Sequence, residues 1–184
     1  MPAIQEGSAG PALDSAPQPL RVLLPSPIGP LGVELLGTAV VRLRIDPPKE
    51  ERSAFTPFHK VGGSDALDEI FGHLSEYFAG ARRKLDVEYD LGPCGVSGLA
   101  KRVLKEAAKI PYGRTRTHQA IAEALGRPDD YRLVLSALLE NPIPILVPCH
   151  RVVPAKGVGS YIGGADRKRW LLDMESRPLD DEPL

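Results

Sequence analysis

The feature that most restricts how this chain can fold is the run Asn141-Pro-Ile-Pro-Ile-Leu-Val-Pro148, which leads directly into Cys149-His150-Arg151. Prolines 142, 144 and 148 lack an amide proton and hold φ at about −65°. Each also pushes the residue before it out of the helical region. The run therefore cannot be a helix interior, and it is expected to be a stiff, extended, buried segment. Such a segment holds one thiol in one place. On spacing alone, Cys149 is either a small buried apolar residue or a nucleophile with a histidine beside it.

Composition narrows the setting. A chain of 184 residues has room for one large domain or two small ones. No apolar run reaches membrane length, and no basic segment with an apolar core begins the chain, so a cytoplasmic protein without an anchor is expected. Two cysteines make no disulfide framework, and two free thiols are expected. Cys94, between Pro93 and Gly95 with no neighbouring His or carboxylate, reads as incidental. The net charge of −1 hides an asymmetry: residues 95–177 carry 14 Lys/Arg against 8 Asp/Glu, the rest 9 against 16. Such a split points the C-terminal half toward a polyanion.

In chain order, residues 1–19 read as a disordered leader rich in Pro, Ala, Gly and Ser. Strands are expected over 21–24 and 32–45, the second broken by a hairpin turn at Gly37-Thr38. Residues 46–65 read as loop. The spacing of Leu67, Ile70, Phe71, Leu74 and Phe78 predicts a helix stopped by Gly80. Residues 84–91 alternate weakly, as a last edge strand would. Residues 20–91 thus form a small antiparallel sheet with one helix, and 92–97 is the linker.

Residues 98–177 read as all-α. A helix runs from Ser97 to Ile110. Thr117 caps a second helix that stops at Gly126, and Pro128 opens a third that reaches about Glu140. The last pair forms a helix-turn-helix or a plain αα-hairpin. A Gly-rich loop, Gly157 to Gly164, carries Tyr161. The last helix covers Asp166 to Met174, Glu175 lies at its end, and 178–184 is an acidic tail.

The chain resembles the O(6)-alkylguanine-DNA alkyltransferases, a family of suicidal DNA-repair proteins. The segment from Asn141 to Val153 carries the likeness most specifically. Ser26-Pro-Ile-Gly-Pro-Leu31, Glu76-Tyr-Phe-Ala-Gly80, Ile110-Pro-Tyr-Gly113 and Arg167-Lys-Arg-Trp-Leu-Leu172 support it in order and spacing. The resemblance implies a ribonuclease-H-like α/β N-terminal subdomain and a helix-turn-helix, winged-helix-like C-terminal subdomain. It implies single-turnover transfer of an alkyl group from O(6)-alkylguanine in double-stranded DNA to Cys149, with O(4)-alkylthymine as a further candidate. The protein would act as a monomer, without a cofactor.

By that resemblance a water relays the thiol proton to His150, Glu175 orients the imidazole, and Asn141 holds the active-site turn. Leu138, Val152 and Tyr161 line the guanine pocket. Arg132 is the finger that replaces the extruded base, with the second helix of the motif in the minor groove. Tyr131, Leu133, Leu135 and Arg151 complete the expected DNA face.

Three departures stand out. His118 occupies the place of a tyrosine that helps the flipped base, and a histidine also stacks and donates a proton. Leu133 and Leu135 stand where the family has small residues, beside Asp129, Asp130 and Glu140, and act either as spacers or as wedges. No second Cys/His set exists for the zinc site that some members carry, so no metal is expected. Two other readings stay open: a lesion-binding protein without chemistry, and a thiol acceptor for a non-duplex substrate.

Overall fold

The computed structural model describes residues 17–177. Most of the expected leader and the whole acidic tail lie outside the described residues. The chain begins with β1 (Leu20–Leu24), β2 (Leu31–Leu36) and β3 (Ala39–Ile45), joined as antiparallel neighbours with the hairpin turn at Gly37-Thr38. Val22, Leu24, Leu31, Val33, Leu35 and Leu43 are buried in the core. Glu34 pairs across the sheet with Arg21 and Arg42 and lies within ion-pair reach of Arg44, so the one buried carboxylate of the sheet is compensated.

The sheet is not purely antiparallel as expected. A two-residue strand, β4 (Thr56–Pro57), pairs parallel to β1, giving the mixed order β3-β2-β1-β4. Two residues ending in proline carry no alternation, so the loop expected over 46–65 conceals this strand. Residues 84–91 do not form the expected edge strand either. They touch β3 through a single bridge, Val40 to Tyr89, supported by Val40 N–H donating to Glu88 O at 2.9 Å. Helix α1 (Asp65–Phe78) covers the sheet with Leu67, Ile70, Leu74 and Tyr77.

The second half opens with α2 (Gly98–Ala108), where the Ser97 side chain accepts from Ala100 N–H. A two-residue strand, β5 (Arg116–Thr117), runs straight into α3 (His118–Ala124), which Thr117 caps through Ala120 N–H at 3.0 Å. The third helix starts later than expected: Pro128–Asp130 is a 3-10 turn, and α4 covers Tyr131–Leu139. After Cys149–Arg151, β6 (Val152–Val153) pairs parallel with β5. The second half is therefore helical but not all-α. Helix α5 (Ala165–Glu175) closes the described chain.

The proline run is buried as expected but is not extended. Val147 N–H donates back to Ile143 O at 3.0 Å, and Ile145 sits at φ 78°. A β-branched residue in the left-handed region is strained by roughly 1–3 kcal/mol, so its surroundings must hold it there. Prolines 142, 144 and 148 leave 145–147 free to turn. Leu43 N–H of β3 donates to Pro142 O at 2.8 Å, which ties the sheet to this turn. Among the described residues no helix is long and apolar enough to cross a membrane.

Candidate active site

The strained turn is spanned by one side chain. Asn141, with no exposed surface, donates from Nδ2 to Val147 O at 2.9 Å and to Cys149 Sγ at 3.0 Å. Its Oδ1 accepts from Ile143 N–H at 3.1 Å. The turn and the thiol thus share one amide. Cys149 is buried, and burial pushes its thiol up to about 11, against the lowering pull of the Asn141 hydrogen bond. At rest the group is a thiol.

Behind it lies a compact polar network. Cys149–Arg151 is a 3-10 turn rather than extended chain, and it carries His150 into the interior. His150 Nε2 is 2.9 Å from Glu175 Oε1, while its buried Nδ1 has no hydrogen-bond partner in the protein. The carboxylate places the ring proton on Nε2 and leaves a lone pair on Nδ1. Burial lowers the pKa of His150, against the raising pull of Glu175, so the ring rests neutral. Burial raises Glu175, but hydrogen bonds from His150 and Arg151 and the guanidinium charge outweigh it and hold the carboxyl at about 2.

Three groups that the sequence reading did not assign to the site complete the network. Tyr77 Oη donates to Glu175 Oε1 at 2.6 Å and is 3.5 Å from His150 Nε2. Gly113 N–H donates to Glu175 Oε2 at 3.2 Å; a Cβ there would stand 2.8 Å from the Glu175 carbonyl oxygen. Tyr112 packs its ring against the Arg151 guanidinium, 5.8 Å away. Tyr77 had a signal: it continues the buried spacing of Leu67, Ile70 and Leu74. Arg151 corrects the sequence reading. It was expected on the DNA face, but it is buried, with its donors on Glu175 and Ile110 O. Its Nε, Nη1 and Nη2 each already donate inside the protein.

In front of the thiol is a tight cavity of about 10 Å³. His118, Leu138, Val152 and Tyr161, the four residues expected at the substrate, line it together with Cys149. His118 is buried. Its Nε2 has no partner, and burial followed by the charge of Lys168 lowers its pKa. Tyr161 lies edge-on to His150, ring centres 6.2 Å apart. Lys168, the basic residue second in Arg167-Lys-Arg-Trp-Leu-Leu172, is buried. Its amine donates to Val152 O at 2.7 Å and Ser160 O at 3.2 Å, and burial lowers it to about 8. That bond fastens the Tyr161 loop to β6.

Helix α4 divides the remaining residues. Tyr131, Arg132 and Leu133 are exposed, with the Arg132 guanidinium 5.9 Å from the Tyr131 ring. Leu135, placed with them on the DNA face, lines the cavity instead. Cys94 lies apart from the site and donates its S–H to Val41 O. Among the described residues no cluster of three or more His, Cys, Asp or Glu is placed to hold a metal ion.

A buried thiol backed by an amide, an imidazole and a carboxylate, and faced by a small cavity lined by His118, Tyr161 and apolar side chains, defines a protein that forms a covalent bond through cysteine. Residues 98–177 match the family model described as the DNA-binding domain of 6-O-methylguanine DNA methyltransferase. The methylated-DNA–protein-cysteine methyltransferase of Mycobacterium tuberculosis is 41% identical over 153 residues, 82% of this chain and 88% of that protein. The chain belongs to this family.

Solved structures agree. The O6-methylguanine methyltransferase of M. tuberculosis superposes with a TM-score of 0.74 at 36% identity, covering 88% of this chain and 96% of that one. The same organism's OGT in complex with DNA gives 0.73 at 38% identity, covering 85% and 92%. The mixed sheet with its helix, followed by a helical half, is the architecture these neighbours share with the chain.

Proposed function

We propose that the protein repairs DNA by moving an alkyl group from O(6) of guanine, and from O(4) of thymine as a further substrate, onto Cys149 in one irreversible turnover. The observation that carries this reading is that Cys149 shares one cavity wall with His118, Leu138, Val152 and Tyr161 while its turn delivers His150 to Glu175. A soft sulfur nucleophile suits displacement at an alkyl carbon.

The resting thiol and neutral imidazole give the sequence of events. The thiol proton passes through a water to the free Nδ1 of His150, and Glu175 stabilises the imidazolium. Sγ then bonds to the alkyl carbon as the carbon–oxygen bond breaks, and the guanine leaves as its anion, which takes a proton from solvent while the His150 imidazolium returns the thiol proton to solvent. The thioether does not revert. In a duplex the target atom is inside the stack, so the base is extruded, and exposed Arg132 fills the gap from the minor groove. Tyr131 and Leu133 flank it. The same reading takes residues 20–91 as a ribonuclease-H-like subdomain, 92–97 as the linker and 98–177 as a winged-helix-like alkyl acceptor, working as a cytoplasmic monomer.

The test is direct. Duplex DNA bearing O(6)-methylguanine is incubated with the protein, and the Cys149 peptide is weighed by mass spectrometry. One methyl group per chain is expected, absent in Cys149→Ala. Tight binding without methylation would instead favour a lesion-binding role. Asp129, Asp130 and Glu140 near the exposed face of α4 keep a second reading, a thiol acceptor for non-duplex substrates; methylation from a free base but not from the duplex would select it.

A further inference from the structure

Leu135 and Leu139 stand one helical turn apart on α4, and both line the cavity that holds Cys149. They differ from the rest of its apolar lining. Leu138 and Val152 are packed into the core, whereas Leu135 is half-buried and Leu139 is 41% exposed. The helix itself is anchored by Val134, Ala137 and Leu138, so its backbone cannot retreat to make room. These two side chains are therefore the adjustable rim of an otherwise fixed cavity. At about 10 Å³ the cavity is far below the roughly 300–1,000 Å³ of ordinary ligand pockets. A base with its alkyl group therefore enters only as the rim side chains move aside.

We propose that Leu135 and Leu139 set the largest alkyl group Cys149 accepts, making the site one for methyl and other short alkyl groups and excluding a benzyl group. This rests on the alkyl-transfer reading above. Displacement by a thiolate at a benzylic carbon is intrinsically no slower than at methyl, so a preference for methyl reports the shape of the site rather than the chemistry.

The test uses duplexes that carry either O(6)-methylguanine or O(6)-benzylguanine at the same position, with the rate of Cys149 modification read by intact mass. The full-length protein is expected to take methyl at least about tenfold faster than benzyl. Leu135→Ala and Leu139→Ala are each expected to raise the benzyl-to-methyl rate ratio about tenfold. Weaker DNA binding or poorer packing lowers both rates together and leaves the ratio unmoved. The exposed position of Leu139 keeps at least that variant folded, which circular dichroism checks. A ratio unchanged in both variants, or a wild-type protein that takes benzyl as fast as methyl, overturns the proposal. No methyl on Cys149 from either duplex removes the alkyl-transfer reading itself.

Discussion

Glu175 and Arg151 form a two-pronged ion pair inside the protein, with Arg151 Nε 2.9 Å from Oε2 and Nη2 2.8 Å from Oε1. The pair lets a carboxylate stay charged beside a buried imidazole. It also spends the arginine on structure.

Removing the arginine leaves that carboxylate buried and unpaired. Arg151→Met is expected to cost about 3–5 kcal/mol in urea unfolding. Arg151→Lys should recover only part of it, because an ammonium cannot reproduce the fork. A variant as stable as the wild type would mean that the pair carries no stability.

Acid should expose the same pair. The folded pKa of Glu175 is about 2, below its ordinary 4.5. A depressed carboxylate stabilises the fold above its unfolded pKa, so the contribution is present above about pH 4.5 and is lost as pH falls toward 2. Thermal melts across this window should steepen in the wild type, and Glu175→Gln should flatten that part of the slope. Equal slopes would place the acid sensitivity elsewhere.

Tyr77→Phe deletes one donor from Glu175 and the longer contact with His150 Nε2. The expected loss is about 1–3 kcal/mol, with the acid midpoint moved up because the carboxylate is less well held. An unchanged acid midpoint would separate Tyr77 from the network.

The thiol predicts its own labelling. With Cys149 raised to about 11, iodoacetamide should modify it slowly in the native protein at pH 8 and faster as pH rises toward 11. Asn141→Ala removes a lowering hydrogen bond and should slow labelling at pH 8 further. Native labelling as fast as in urea would show a thiol that is neither buried nor raised.

Arg132→Ala should weaken reaction with duplex DNA by at least about tenfold while changing reaction with free O(6)-methylguanine little, as a side chain that acts only on the base stack requires. Equal losses on both substrates would end the finger role.

How much of this the sequence discloses follows from the length of each signal. Leu67, Ile70 and Leu74 place α1 to within a residue because three turns of apolar spacing leave one solution. Thr117 and Ser97 mark helix starts through a single oxygen each. The strands β4, β5 and β6 have two residues apiece, too few for alternation, so the mixed sheet and the β5–β6 pair are visible only in three dimensions. Prolines 142, 144 and 148 announce a rigid run, but the reversal at Ile145 depends on Asn141 reaching across to Val147. Long-range partners explain the other differences. Arg151 and Lys168 look like surface charges until Glu175 and two backbone carbonyls are brought to them by the fold.

The β5–β6 pair has a consequence for how relatives of this chain can diverge. Thr117 leads into His118 with no residue between strand and helix, and Arg151 leads into Val152 in the same way. Both joins are without slack, and a one-residue shift in a strand turns its side chains to the opposite face. Insertions and deletions are therefore barred from 116–118 and 149–153, whatever substitutions occur there. The exposed stretch Ala155–Gly157, just past β6, can change length freely. Sequence gaps among relatives should gather on that side of the cysteine, and the spacing from Asn141 to Val153 should not vary.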